Sequence, residues 1–194
     1  MLETLVLHPS AMAQWHSLVK EASQASGIDL NEDLESYLVF LLMQHSRSTE
    51  MIAKPFALDF LESIKSSKRE NQAILREVGD TCLIFSGLFP KSAARKRVGI
   101  SYYVKLGQSA YGSLSGSYHN HLALLFNELC EHFIQLMDVL HALRTSNPQA
   151  ATLDLLEAEE LWQQSRSQYA LSVLQTKTKG FFIPKHLIDP NQRH

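Results

Sequence analysis

The chain has 194 residues, 45% of them hydrophobic and 20% charged, with a formal net charge of −2 at pH 7. That composition suits one compact domain better than a disordered chain, and the slightly acidic charge tells against a general polyanion binder. The charge is nevertheless poled: no Asp or Glu occurs from Thr81 to Asn127, a window that carries Lys91, Arg95, Lys96, Arg97 and Lys105 between acidic flanks.

Helical periodicity runs through the sequence and no alternating strand pattern interrupts it, so the expectation is an all-α, single-domain bundle of about six to eight helices. A first helix is expected after Pro9, with Ser10 as cap and Gly27 as stop. Asp29 or Asn31 should cap a second helix, whose first turn holds Glu32, Asp33 and Glu35. Its stretch Tyr37 to Met43 is apolar nearly all round, which predicts the central, most buried helix. Past Pro55, a short helix over Phe56 to Ile64 precedes a longer one from Ser67 to Ser86, where Ile74, Val78, Cys82 and Phe85 share a face. Gly87 to Pro90 end it, and Lys91 to Arg97 add a helical turn or two. Ser101 is read as the cap of a helix reaching Leu114. The longest helix is expected from Asn120 to Arg144, with Leu122, Leu125, Phe126, Leu129, Phe133, Leu136, Leu140 and Leu143 in one stripe. A last helix over Ala150 to Leu174 follows the Asn147-Pro148 turn, starting on Asp154, Glu157, Glu159 and Glu160. The bundle is thus expected over residues 1–176, with a basic, Pro-containing tail over 177–194.

Cys82 and Cys130 lie far apart among apolar residues and lack a C-x-x-C partner, which predicts reduced thiols. The apolar run Leu38 to Met43 is too short to cross a bilayer, and Glu3 stands where a signal peptide would be basic. Both point to the cytoplasm and to no membrane partner.

Four constellations carry the candidate chemistry. On the helix from Ser101, Tyr103, Gly107, Ala110, Tyr111 and Leu114 share a face whose small residues admit a close crossing. Tyr102, Tyr103 and Tyr111 need partners if buried, and Arg76, Glu77 and Asp80 are the nearest polar groups; Arg76 and Asp80 can pair at i, i+4. The set Arg76, Glu77, Asp80, Tyr103 and Tyr111 is either a ligand pocket or an internal network that fixes helix register. Lys91, Arg95, Lys96 and Arg97 form a candidate anion site for phosphate or nucleic acid, unaccompanied by any recognised nucleic-acid-binding signature. His121, Glu128 and His132 lie along one arc and offer a candidate metal set, against the simpler reading of half-exposed ionic pairs; no metal or cofactor is assigned. Phe181 and Phe182, between Gly180 and Pro184, either hook into another chain or fold back on their own bundle.

Exclusions narrow the field further. Gly107 and Gly112 have P-loop spacing, but Ser113 replaces the phosphate-binding Lys. Gly112 to Gly116 imitates a nucleophile elbow only at its ends, since Leu114 occupies the centre. The sequence therefore favours a non-catalytic helical protein that binds another protein or itself. A small-ligand-binding or enzymatic bundle, with a site between the 76–80 and 103–111 helices, is the alternative, and a nucleic-acid accessory role through residues 91–97 is a second one.

Overall fold

The computed structural model describes residues 10–46, 68–90, 99–145 and 152–179. Among these it is all-α, with eight helices: α1 (Ala11–Ser26), α2 (Glu32–Ser46), α3 (Lys68–Leu88), α4 (Ile100–Ser117), α5 (His121–Glu131), α6 (Phe133–Thr145), α7 (Leu155–Ser165) and α8 (Gln168–Lys177). They form a single-domain bundle around one core.

Local chemistry sets most boundaries. Ser10 accepts the Ala13 N–H at 3.2 Å to start α1, and Gly27, at φ 68°, stops it by donating to the Gln24 and Ser23 carbonyls. Asn31 is the residue that caps α2, accepting from the Leu34 N–H at 2.9 Å. Asn120 caps α5 through the Leu122 N–H, and Asp154 with Glu157 forms a capping box on α7.

Packing places α3, α4 and α6 at the centre. The close approach of α4 depends on two glycines. A Cβ at Gly107 would lie 2.4 Å from the Phe133 ring, and one at Gly79 would lie 2.5 Å from the Tyr111 ring. Tyr103, Gly107, Ala110, Tyr111 and Leu114 are all buried, as their shared face predicts. Helix α5 rests on α4, α1 bridges α2 and α6, and the α7–α8 pair covers α4 and α6.

Four expectations need correction. Helix α2 is not the most buried: it buries six of its 15 residues against seven of 13 in α6, packs chiefly on α1 and α5, and leaves Phe40 56% exposed. Its apolar run is wider than the face it buries. Helix α4 begins two residues early, with Gly99 rather than Ser101 at its cap, and runs on to Ser117. The expected long helix breaks at His132, where φ −95° and ψ 13° separate α5 from α6, although the Glu128 and His132 carbonyls keep their i, i+4 bonds across the break. The expected last helix is two, divided by Arg166 in the left-handed region (φ 58°) and by Ser167, which caps α8. The cause is tertiary: buried Asp138 of α6 accepts the Ser167 hydroxyl at 2.5 Å and the Gln168 N–H at 2.8 Å, which fixes a helix start there. The expected helices over Phe56 to Ile64 and Lys91 to Arg97 lie outside the described residues, as do Phe181 and Phe182.

No helix among the described residues is long and apolar enough to cross a membrane. Cys82 and Cys130 are both free thiols, and burial pushes Cys82 up to about 12.

Candidate functional site

Helix α3 carries a polar stripe: Arg69, Gln72, Arg76, Glu77 and Asp80, with the small Ala73 among them, recur at spacings of three and four, opposite the buried Leu75, Val78 and Cys82. The carboxyl end of α2 brings Gln44 and His45 to that stripe, and Tyr118 closes one side from the α4–α5 turn. Between them lies an open cleft of about 650 Å³. Gln72 secures the far wall by donating to the Ser117 carbonyl at 3.3 Å and the Ser117 hydroxyl at 3.1 Å.

Asp80 forms the inner end. Its Oδ1 accepts the Tyr37 hydroxyl at 2.5 Å and the Tyr111 hydroxyl at 2.8 Å, while Arg76 Nε lies 3.6 Å from Oδ2. The Arg76 guanidinium also sits 5.5 Å above the Tyr37 ring, and the two tyrosines meet edge to face at 6.3 Å. Missing side-chain bulk at Gly79 is what admits the Tyr111 ring to this position. Burial pushes the Asp80 carboxyl above the usual carboxylate range, against the pull of the two hydroxyls and Arg76. Burial first and the Asp80 charge second raise both tyrosines, so their protons stay in place and their hydroxyls serve as donors.

His45 has a different situation. Both of its ring nitrogens are buried and neither has a hydrogen-bond partner. Burial lowers its proton affinity, with Glu77 pulling weakly the other way, so the ring lines the cleft as neutral imidazole. Arg69, near the other end of the stripe, is exposed and makes no ion pair among the described residues.

The five residues expected to form a ligand site therefore divide. Arg76, Glu77 and Asp80 line the cleft, and Tyr111 supports Asp80 from behind while fully buried. Tyr103 takes no part: it packs on Phe85 at 4.9 Å and Tyr102 at 5.4 Å. Sequence reasoning missed Tyr37 and His45, both hidden at an apolar run that carries no polar spacing of its own.

The metal candidates separate onto different partners. His121 pairs with Asp33 at 3.3 Å, Glu128 accepts from Asn31 at 2.9 Å, and His132 bonds Gln135 at 2.7 Å. Among the described residues no group of three metal-ligating side chains converges. Lys91, Arg95, Lys96 and Arg97 lie outside the described residues.

A second cleft, of about 560 Å³, runs from the α1–α2 turn past the His132 break to Arg166. Asp138 lies at its base, raised to about 6 by burial against its bonds to Ser167 and Gln168. Its acceptors are spent on capping α8. The chain matches no protein-family model, no curated protein and no solved structure.

Proposed function

We propose that this protein binds a small polar molecule in the α2–α3 cleft. The carrying observation is His45, whose two buried nitrogens find no partner within the protein. A buried polar group without a hydrogen bond costs about 1–3 kcal/mol, and such groups are rare enough that each calls for a reason. A ligand seated in the cleft toward which the ring turns, exposing one nitrogen to donate or accept, supplies one. The Asp80 network gives the cleft a fixed inner end, because helices α2, α3 and α4 are tied together there by Tyr37 and Tyr111. Two free thiols support a reducing, cytoplasmic setting.

Fragment screening by protein-observed NMR tests the reading, with Ala73→Trp as control. Ala73 is exposed on the cleft wall, so the larger side chain fills the cleft and leaves the core intact. Fragments should shift His45, Gln72 and Arg76 signals in the unmodified chain and lose that effect in the variant. Shifts that persist in Ala73→Trp, or that cluster elsewhere, defeat the proposal.

A second reading, self-association or docking of another protein, draws on Leu124 and Leu156, which are 66% and 77% exposed at the starts of α5 and α7. Sedimentation of Leu124→Lys/Leu156→Lys beside the unmodified chain separates it: a dimer lost in the variant supports it, and monomers in both remove self-association.

A further inference from the structure

Resting on the small-ligand reading above, we infer that the molecule held in the α2–α3 cleft is an oxyanion, a compound bearing a carboxylate or phosphate group that sits over Ala73 between Arg69 and Arg76. The two arginines stand at i and i+7 on α3, two turns apart, or roughly 10 Å along the helix axis. Ala73 lies between them at i+4, and its small side chain leaves the space over that turn open. The spacing matches a bracket whose guanidiniums approach one charged group from opposite ends.

The charges around the cleft divide unequally in what they have left to give. Asp80 is 7% exposed, and its oxygens are engaged by Tyr37, Tyr111 and Arg76. Arg76 lies 3.6 Å from Asp80 through Nε and also interacts with Tyr37, and its side chain remains 54% exposed while lining the cleft. Arg69 has no ion pair among the described residues. Glu77 is the remaining lining acid, and its field acts on His45. Guanidiniums present several N–H donors in a planar fork, which suits carboxylate and phosphate better than any cationic or neutral group. The orphaned His45 ring adds an N–H donor once it turns toward the cleft.

Proton linkage follows from these neighbours. Glu77 raises the proton affinity of the His45 ring against its burial, and Arg69, Arg76 and Asp80 line the same cleft. An oxyanion seated between the arginines adds negative charge near the ring and favours its protonated form, so binding should tighten as pH falls.

The test titrates the full chain with inorganic phosphate, citrate and, as cationic control, putrescine, at constant ionic strength, reading His45 ring and Arg side-chain NMR signals. Saturable shifts at His45, Arg69 and Arg76 with phosphate or citrate are expected, at least 10-fold weaker in Arg69→Gln and partly restored in Arg69→Lys. Arg69 is exposed, so these variants keep the fold, which the unchanged spectrum of the Asp80 network verifies. Binding of putrescine in place of the anions, or an Arg69→Gln affinity equal to the parent's, overturns the oxyanion assignment. If neutral fragments occupy the cleft and neither anion does, the small-ligand reading stands and this inference falls. If nothing occupies it, both fall.

Discussion

Replacing Asp80 by alanine removes one acceptor from two buried hydroxyls at once, and the structure sets the size of the effect. Tyr37 and Tyr111 donate to the same carboxylate oxygen at 2.5 and 2.8 Å, and Tyr111 is fully buried. Each hydroxyl left without an acceptor costs about 1–3 kcal/mol, so the gross loss is about 2–6 kcal/mol. Burial itself disfavours the Asp80 carboxylate, which returns part of that loss when the group is deleted. We therefore expect Asp80→Ala to destabilise by about 3 kcal/mol, which at an m value of roughly 2 kcal/mol per molar urea moves the midpoint down by about 1.5 M. Tyr111→Phe removes one bond and no volume, and should cost about 1.5–3 kcal/mol because its acceptor is a carboxylate. The informative variant is Tyr37→Phe/Asp80→Leu/Tyr111→Phe. It deletes every member of the hydroxyl–carboxylate set together, leaves no orphan hydroxyl, and should recover to within about 1 kcal/mol of the parent. Urea unfolding followed by circular dichroism measures all three. An Asp80→Ala loss below about 0.5 kcal/mol, or a triple variant less stable than Asp80→Ala, would refute the reasoning.

Other expectations follow from single sites. His141 is fully buried, has no hydrogen-bond partner on either ring nitrogen, and stacks on Tyr169 at 4.1 Å. His141→Phe keeps the stack and should raise Tm at pH 7 by about 2–6 °C in a thermal scan. Burial lowers His141 to about 3, below its unfolded value, so its contribution is present above the ordinary histidine range and is lost as pH falls toward 3. The advantage of His141→Phe should accordingly widen between pH 7 and pH 5, and a constant or shrinking gap contradicts this. Asp138 has the opposite sign: raised to about 6, it stabilises fully below the ordinary carboxylate range and loses that contribution as pH rises through about 6. Relative to the parent, Asp138→Asn should gain up to about 3 kcal/mol between pH 4 and pH 7, readable from paired urea titrations, and a flat difference would count against it. Gly107→Ala places a Cβ 2.4 Å from the Phe133 ring and should cost about 1–3 kcal/mol despite the better helix propensity of alanine; a stabilised variant would show that α4 and α6 have room to part.

Periodicity made most of the architecture legible. The face formed by Tyr103, Gly107, Ala110, Tyr111 and Leu114 is buried as one unit, and the pairing of Arg76 with Asp80 follows from their i, i+4 spacing. The cap at Ser10 and the helix start near Asn120 were readable because they are local chemistry. What stayed hidden depends on contacts distant in sequence. Tyr37 reaches Asp80 across 43 positions from within an apolar run, and nothing around it marks a polar purpose. The start of α8 is decided by Asp138, 29 positions before Ser167, so no local pattern divides α7 from α8. His45 follows the same apolar run, and only the packed structure reveals that its ring nitrogens are enclosed without a partner.

The cleft between α2 and α3 is best probed by a crystallographic soak of the full chain with small carboxylates, phosphates and neutral fragments. Ordered density is expected over Ala73, within hydrogen-bond distance of a His45 ring nitrogen and of Arg69 or Arg76. Ordered compounds only at other surfaces, with the His45 nitrogens bonded to groups of the chain itself, would contradict it.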